Sequence, residues 1–319
     1  MSTQPEPRRR RTQRTKNDAM RNTLPGIALI LASVLPAALS PSPRSGPPVP
    51  EPPARHSSKG ATSHKKGAGA LLFEPDCELP FENIKTEGLT IDAICSPDGN
   101  AGDDVGKRLE SNAKNNFCVE GSPAPMLYAD FTNLQAASDE IAGLKNKLKT
   151  NRDALSGILN IAGRPRLGEG SLVQFVAFVL DAHFSNVGKG KGELVNCKMP
   201  DKEDNDIHIE LTMDAADDDP CNGVTAEMSP HFRPEAWSEL AGMQIGRPVR
   251  ITGPLFFDSS HQPCHDGVRP NPKRISVWEI HPIYQFEVCK DKTLAACDVR
   301  KNSQWIPLDQ WKNAGEDEP

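Results

Sequence analysis

The sequence predicts an α+β chain in which a helical N-terminal region precedes a five-stranded β-barrel. Two features carry that expectation. Apolar residues recur at three- and four-residue steps before residue 161, and from Gly170 onward the period switches to two. A single short helical stretch then interrupts the run of strands between the third and the fourth.

The chain opens with segments that build no core. An arginine run from Arg8 to Arg11, then Arg21, precedes an apolar stretch from Leu24 to Leu39 and small residues after it. That order reads as a secretory signal peptide over residues 1–40, with Met20 the more ordinary start. A membrane anchor fits less well, because the stretch is shorter than the ~20 apolar residues of a spanning helix and contains Pro25 and Pro36. The expectation is a chain not integral to the membrane. Residues 41–70 are rich in Pro, Ser, Gly, Lys and Arg. They bury too little apolar surface to offset chain entropy and read as a disordered linker.

Charge and cysteine usage point the same way. Of the chain's 37 Lys+Arg and 43 Asp+Glu, residues 1–66 hold 12 and 3, leaving a net charge of −15 on residues 67–319. So acidic a domain is a poor general nucleic-acid binder, since that affinity rests on Lys and Arg neutralising phosphates. The eight cysteines all follow the linker, and none forms a C-x-x-C pair. An even count in an exported chain reads as disulfides. Cys289 and Cys297 are placed to close a local loop; the remaining pairing stays open. The expected location is periplasmic or extracellular.

Residues 71–168 read as the helical, loop-rich region. Residues 102–117 form one helix, with acidic residues in its first turn to suit the helix dipole. A longer helix is expected from about Asn133 to Ile161, with Leu134, Ala137, Ile141, Leu144 and Leu148 on one stripe. Lys145, Lys147 and Lys149 read as its solvated face.

The strands occupy residues 169–290, followed by a C-terminal tail, 291–319. The first, 171–184, is long and apolar. The second, 205–213, alternates Ile207, Ile209 and Leu211 against His208 and Glu210. The third, 223–229, alternates Val224, Ala226 and Met228 against Thr225 and Glu227. A short helix follows Pro234. The fourth strand covers 247–257, where Gly253-Pro254 reads as a bulge or an edge. The fifth runs from Arg274 to Cys289. Strand–strand–strand–helix–strand–strand is the order of an OB-like barrel, whose strands lie side by side as 1-2-3-5-4.

Four stretches of this domain carry a histidine beside a carboxylate. They supply the candidate site residues His208, Glu227, His231, Asp258, His261, Glu279 and His281. His208, His261 and His281 are the candidate metal ligands, in a set that suits zinc, manganese or iron. No H-E-x-x-H pair is present. The bland alternative is that these are surface or capping groups. Gly188 to Gly192 alternates glycine and lysine without the spacing of a phosphate-binding P-loop. A Ser-His-Asp triad can be drawn from Ser185, Ser229, Ser259 or Ser260, with no motif to favour any of them.

At Asp206-Ile207-His208-Ile209, Ala226-Glu227-Met228, Phe256 to His261 and Glu279 to Pro282, the chain resembles a group of uncharacterised exported bacterial proteins. These share D-x-H-[IL], A-E-[IM], F-F-D-x-x-H and E-[IL]-H-P strands. The resemblance covers roughly residues 170–290 and implies kinship and export, with no activity attached. The leading functional expectation is an exported binding or interaction module for a protein, glycan or small-molecule ligand. The alternative is a metal-dependent hydrolase of phosphodiesterase or nuclease type, which requires three or more of the candidate side chains around one point. A binding module requires a groove beside the second and third strands.

Overall fold

The computed structural model describes residues 91–314 apart from 92–93, 97, 118, 142–147 and 186–191. The expected leader (1–40) and linker (41–70), Cys77, Cys118 and residues 188–191 of the glycine–lysine loop lie outside the described residues. The strands are β1 (Ala124–Pro125), β2 (Leu172–Phe184), β3 (Ile207–Thr212), β4 (Val224–Met228), β5 (Pro248–Phe257), β6 (Trp278–Ile280), β7 (Gln285–Cys289) and β8 (Trp305–Pro307). The helices are α1 (Val105–Lys114), α2 (Tyr128–Glu140), α3 (Glu235–Ser238) and α4 (Leu308–Ala314).

Five strands close a barrel in the order β2-β3-β4-β6-β5, with β5 returning to β2. Only the β4–β6 neighbours run parallel; the other barrel pairs are antiparallel. This is the expected order 1-2-3-5-4, and α3 falls between the third and fourth barrel strands. β2 is long because it serves two partners. Leu172 to Phe178 pair with β5, and Phe178 to Phe184 pair with β3 after a register shift between Val179 and Asp181.

The alternation read from the sequence fills the interior. Ile207, Ile209 and Leu211 of β3, Val224, Ala226 and Met228 of β4, and Trp278 and Ile280 of β6 are all buried. Each large apolar side chain so buried contributes ~1.5–3 kcal/mol.

Three expectations are corrected. The fifth strand is not continuous: it splits into β6 and β7 at Pro282, which lacks the N–H that an unbroken ladder needs. Ile283 then donates to the Glu227 carbonyl and Tyr284 to that of Thr252, carrying the chain across to β5. Gly253-Pro254 is neither a bulge nor an edge. A Cβ at Gly253 would sit 2.4 Å from the Pro282 carbonyl oxygen, so glycine is required where that turn crosses β5. The helix expected from Asn133 to Ile161 is shorter and begins earlier. α2 ends at Glu140, Arg152–Leu155 is a 3-10 turn, and Leu159 bridges to Leu167.

Three disulfides staple the described residues: Cys95–Cys197, Cys221–Cys264 and the local pair Cys289–Cys297. They fit an oxidising compartment. Among the described residues no helix is long and apolar enough to cross a membrane.

Candidate functional site

Strand register builds the centre of the site. His208 of β3 stands opposite Glu227 of β4, and Ile280 of β6 stands beside Ala226. Glu227 is thereby placed between His208 and His281. Its Oε1 lies 3.5 Å from His208 Nε2 and its Oε2 3.0 Å from His281 Nε2. Lys114, the last residue of α1, donates from Nζ to Glu227 Oε2 at 2.9 Å, and its carbonyl accepts from His281 Nδ1 at 2.7 Å.

Two further carboxylates come from the chain between β2 and β3. Asp206 Oδ2 lies 3.2 Å from His281 Nε2, and Asn196 donates to its other oxygen at 3.0 Å. Glu193 Oε1 lies 3.2 Å from His208 Nε2, and Ser185 Oγ lies 2.9 Å from the same nitrogen. Cys95–Cys197 anchors this loop. Asp206, Glu227 and His281 are buried, whereas the side chains of His208 and Glu193 remain 26% and 20% exposed.

A second chain of ion pairs lies alongside. Buried Arg274 donates to Glu279 Oε2 at 2.8 Å and also to Asp258 Oδ2. The same Asp258 oxygen is 2.6 Å from His261 Nδ1. Asp258, Glu279 and His261 are thus joined by an arginine that carried no signal in the sequence.

Burial opposes charge on these groups, and their neighbours decide the outcome. Burial pushes His208 down, but Glu227 and Glu193 outweigh it and lift its pKa to about 9. His281 is likewise disfavoured by burial yet raised to about 10 by Asp206 and Glu227. Glu227 is driven well below the carboxylate range because His208 and Lys114 overcome its burial. Glu279 goes the other way, to about 7, since burial and the Glu227 charge both disfavour its ionisation. His231, fully buried after β4, is held at about 3 by burial and the Arg233 and His281 charges, and so stays neutral.

Two groups of side chains can hold a metal ion: Glu193, His208 and Glu227, and Asp206, Glu227 and His281. In each, the ligand atoms lie within 4.8 Å of one another. One imidazole with two carboxylates is a donor set suited to zinc, manganese or iron. The expected trio of His208, His261 and His281 does not form one group, because His261 is taken by Asp258 and each other imidazole serves a separate set. Ser185, Ser259 and Ser260 build no triad either. Ser185 meets His208 at the nitrogen that also faces the carboxylates, while Ser259 and Ser260 donate to Glu110.

Two hollows reach the cluster. A groove of about 230 Å³ on the outer side of β3 and β4 is lined by His208, Glu210, Thr225 and the rim residues Pro220 and Lys273. In it, burial first and the Asp181 charge next raise Glu210 to about 7. A second cavity, about 280 Å³, lies against α1 and is lined by Lys114, Glu193, Lys149, Asp258 and His261. Lys149, read as a solvated residue, therefore faces a cavity.

Sequence reasoning placed His208, Glu227 and His281 on neighbouring strands. Lys114 was missed because it arrives from a helix 113 residues away, and Glu193 and Arg274 because they stand on loops outside any alternating pattern; Asp206 had a signal in the D-x-H stretch. No protein-family model, curated protein or solved structure matches this chain.

Proposed function

We propose that this is an exported protein whose OB-like barrel acts as a metal-dependent hydrolase. One observation carries the reading. His208 Nε2 faces three oxygens at 2.9 to 3.5 Å: Ser185 Oγ, Glu193 Oε1 and Glu227 Oε1. A single N–H proton is shared poorly between two carboxylate oxygens, with the Ser185 hydroxyl able to donate or accept beside them, whereas a divalent cation is coordinated by several oxygens at once. Lys114 and His281 occupy Glu227 Oε2 and leave Oε1 for this group. A metal here supplies Lewis acidity and lowers the pKa of water near it. The side chains of His208 and Glu193 keep enough exposure for solvent to reach the group. Across the second cavity, His261 is oriented by Asp258 and serves as the proton donor to a leaving group.

Metal analysis of the exported chain, prepared without a His tag, tests this. About one equivalent of zinc, manganese or iron is expected, and its loss in His208→Ala. A metal-free chain that added metals do not stabilise would refute it.

A second reading, a small-ligand binding module, rests on the groove over β3 and β4. Its rim loops are joined by Cys221–Cys264 and by the Ile275 N–H to the Gly223 carbonyl at 2.9 Å. At about 230 Å³ it is smaller than the ~300–1,000 Å³ of drug-sized sites and suits a single sugar ring. Monosaccharide titration, with Lys273→Ala as the control, decides it. Saturable binding weakened by the substitution supports the module, and no binding removes it.

A further inference from the structure

Resting on the hydrolase reading, we propose that its substrate is a phosphomonoester whose phosphate lies in the cavity against α1. The argument begins with the helix. Lys107, Glu110, Ser111 and Lys114 follow helical spacing and line one side of the cavity. Gly106 lets Lys149 approach that helix: a Cβ there would lie 3.2 Å from the Lys149 Cβ. Lys107, Lys114 and Lys149 therefore line the same open hollow as His261.

What distinguishes these cations is which of them remain uncommitted. Lys114 is held by Glu227, and Lys107 lies 3.2 Å from Asp104 at the helix start. Lys149 has no ion-pair partner among the described residues. His261 gives Nδ1 to Asp258, which leaves Nε2 for a ligand, and its side chain is 45% exposed. The hydrogen bond to Asp258 also favours its protonated form.

The carboxylates around the cavity are already engaged. Asp258 is bound by Arg274 and His261, Glu193 by His208 and Asn196, and Glu110 by the hydroxyls of Ser259 and Ser260. A tetrahedral oxyanion meets Lys149 Nζ and His261 Nε2 as charge-assisted donors. A hollow of about 280 Å³ matches a phosphate and a small alcohol in size. A neighbouring hollow of about 300 Å³ also contains Lys149, Asp258, Ser260 and His261, and offers room for the alcohol.

The chemistry closes without a further reactant. A water oxygen forms the new P–O bond and the ester P–O bond breaks. His261 Nε2 gives its proton to the departing alcohol, the attacking water keeps one hydrogen on the phosphate and releases the other to bulk solvent, and His261 is reprotonated from solvent.

Titration of inorganic phosphate into the whole chain tests the assignment, with Lys149→Gln and His261→Gln beside the wild type and metal content measured on each sample. Expected is saturable binding, weakened roughly tenfold or more in each variant, with metal content and melting temperature unchanged. No saturable binding, or the same affinity in all three proteins, would overturn it. Metal-loaded chain that binds no phosphate removes this inference and leaves the hydrolase reading. Metal-free chain that binds phosphate through Lys149 removes the hydrolase reading and keeps the phosphate cavity.

Discussion

Two buried charged regions of this barrel are built on opposite principles. On β5 and β7, Arg250 meets Glu287 through two hydrogen bonds of 2.7 and 2.8 Å. Its remaining nitrogen donates to the Val299 carbonyl and to Asn302, and the guanidinium lies 5.0 Å over the Trp305 ring. Every guanidinium nitrogen has its acceptor. On β3, β4 and β6 the balance is reversed, with one nitrogen of His208 facing three oxygens and one nitrogen of His281 facing two carboxylates. A structural ion pair matches donors to acceptors; in the cluster around Glu227 single imidazole nitrogens are shared among several oxygens. Perturbed protonation concentrated in such a place is the pattern of functional sites.

The contrast can be broken first at the structural pair. Arg250→Ala leaves Glu287 without its partner and is expected to cost ~3–5 kcal/mol in denaturant unfolding, with metal content per folded chain unchanged. Loss of metal in that variant would show that the two regions are not separable.

The second effect is a pH dependence confined to the cluster. In the metal-free chain, His208 and His281 have folded pKa values of about 9 and about 10 against the ordinary 6.5. Their stabilising contribution is complete below pH 6.5 and is lost as pH rises through 9 to 10. Thermal melts should therefore fall across that window in the wild type. Glu227→Gln, which removes the shared counter-charge, should flatten the fall, while Glu287→Gln should not.

Third, Glu193→Gln should weaken metal binding ~100-fold and cost less stability than Arg250→Ala, because Glu193 sits on a loop and its side chain is 20% exposed. The smallest effect belongs to the groove rim. Lys273→Ala should change unfolding by less than ~0.5 kcal/mol and leave metal binding intact, as measured by denaturant melts and metal titration.

Much of the frame was legible in the sequence because alternation is a local signal. The β3 and β4 patterns put His208 and Glu227 on the side opposite the apolar residues, and ladder register made them neighbours. The burial of Glu227 and the partial covering of His208 were not legible. An outward residue normally meets water, but here α1 and the 192–206 loop cover that side and bring Lys114, Glu193 and Asp206 against it. Those contacts span separations of 113 residues for Lys114–Glu227 and 75 for His281–Asp206, beyond any periodic pattern. The split of the fifth strand had a visible cause in Pro282, whereas Arg274 gave no hint of its two carboxylate partners. Cys289–Cys297 was readable because only 8 positions separate the pair; the 102-residue reach of Cys95–Cys197 was not.

The most direct measurement is equilibrium unfolding of the metal-stripped chain with and without added zinc or manganese, for wild type and Glu193→Gln. A metal that binds the folded cluster stabilises the wild type by about 2.7 kcal/mol at a hundredfold excess over Kd. The same metal concentration should leave Glu193→Gln far less stabilised. Equal unfolding curves with and without either metal in the wild type would contradict a metal site at His208, and would make the Glu227 cluster an ion-pair network of the fold.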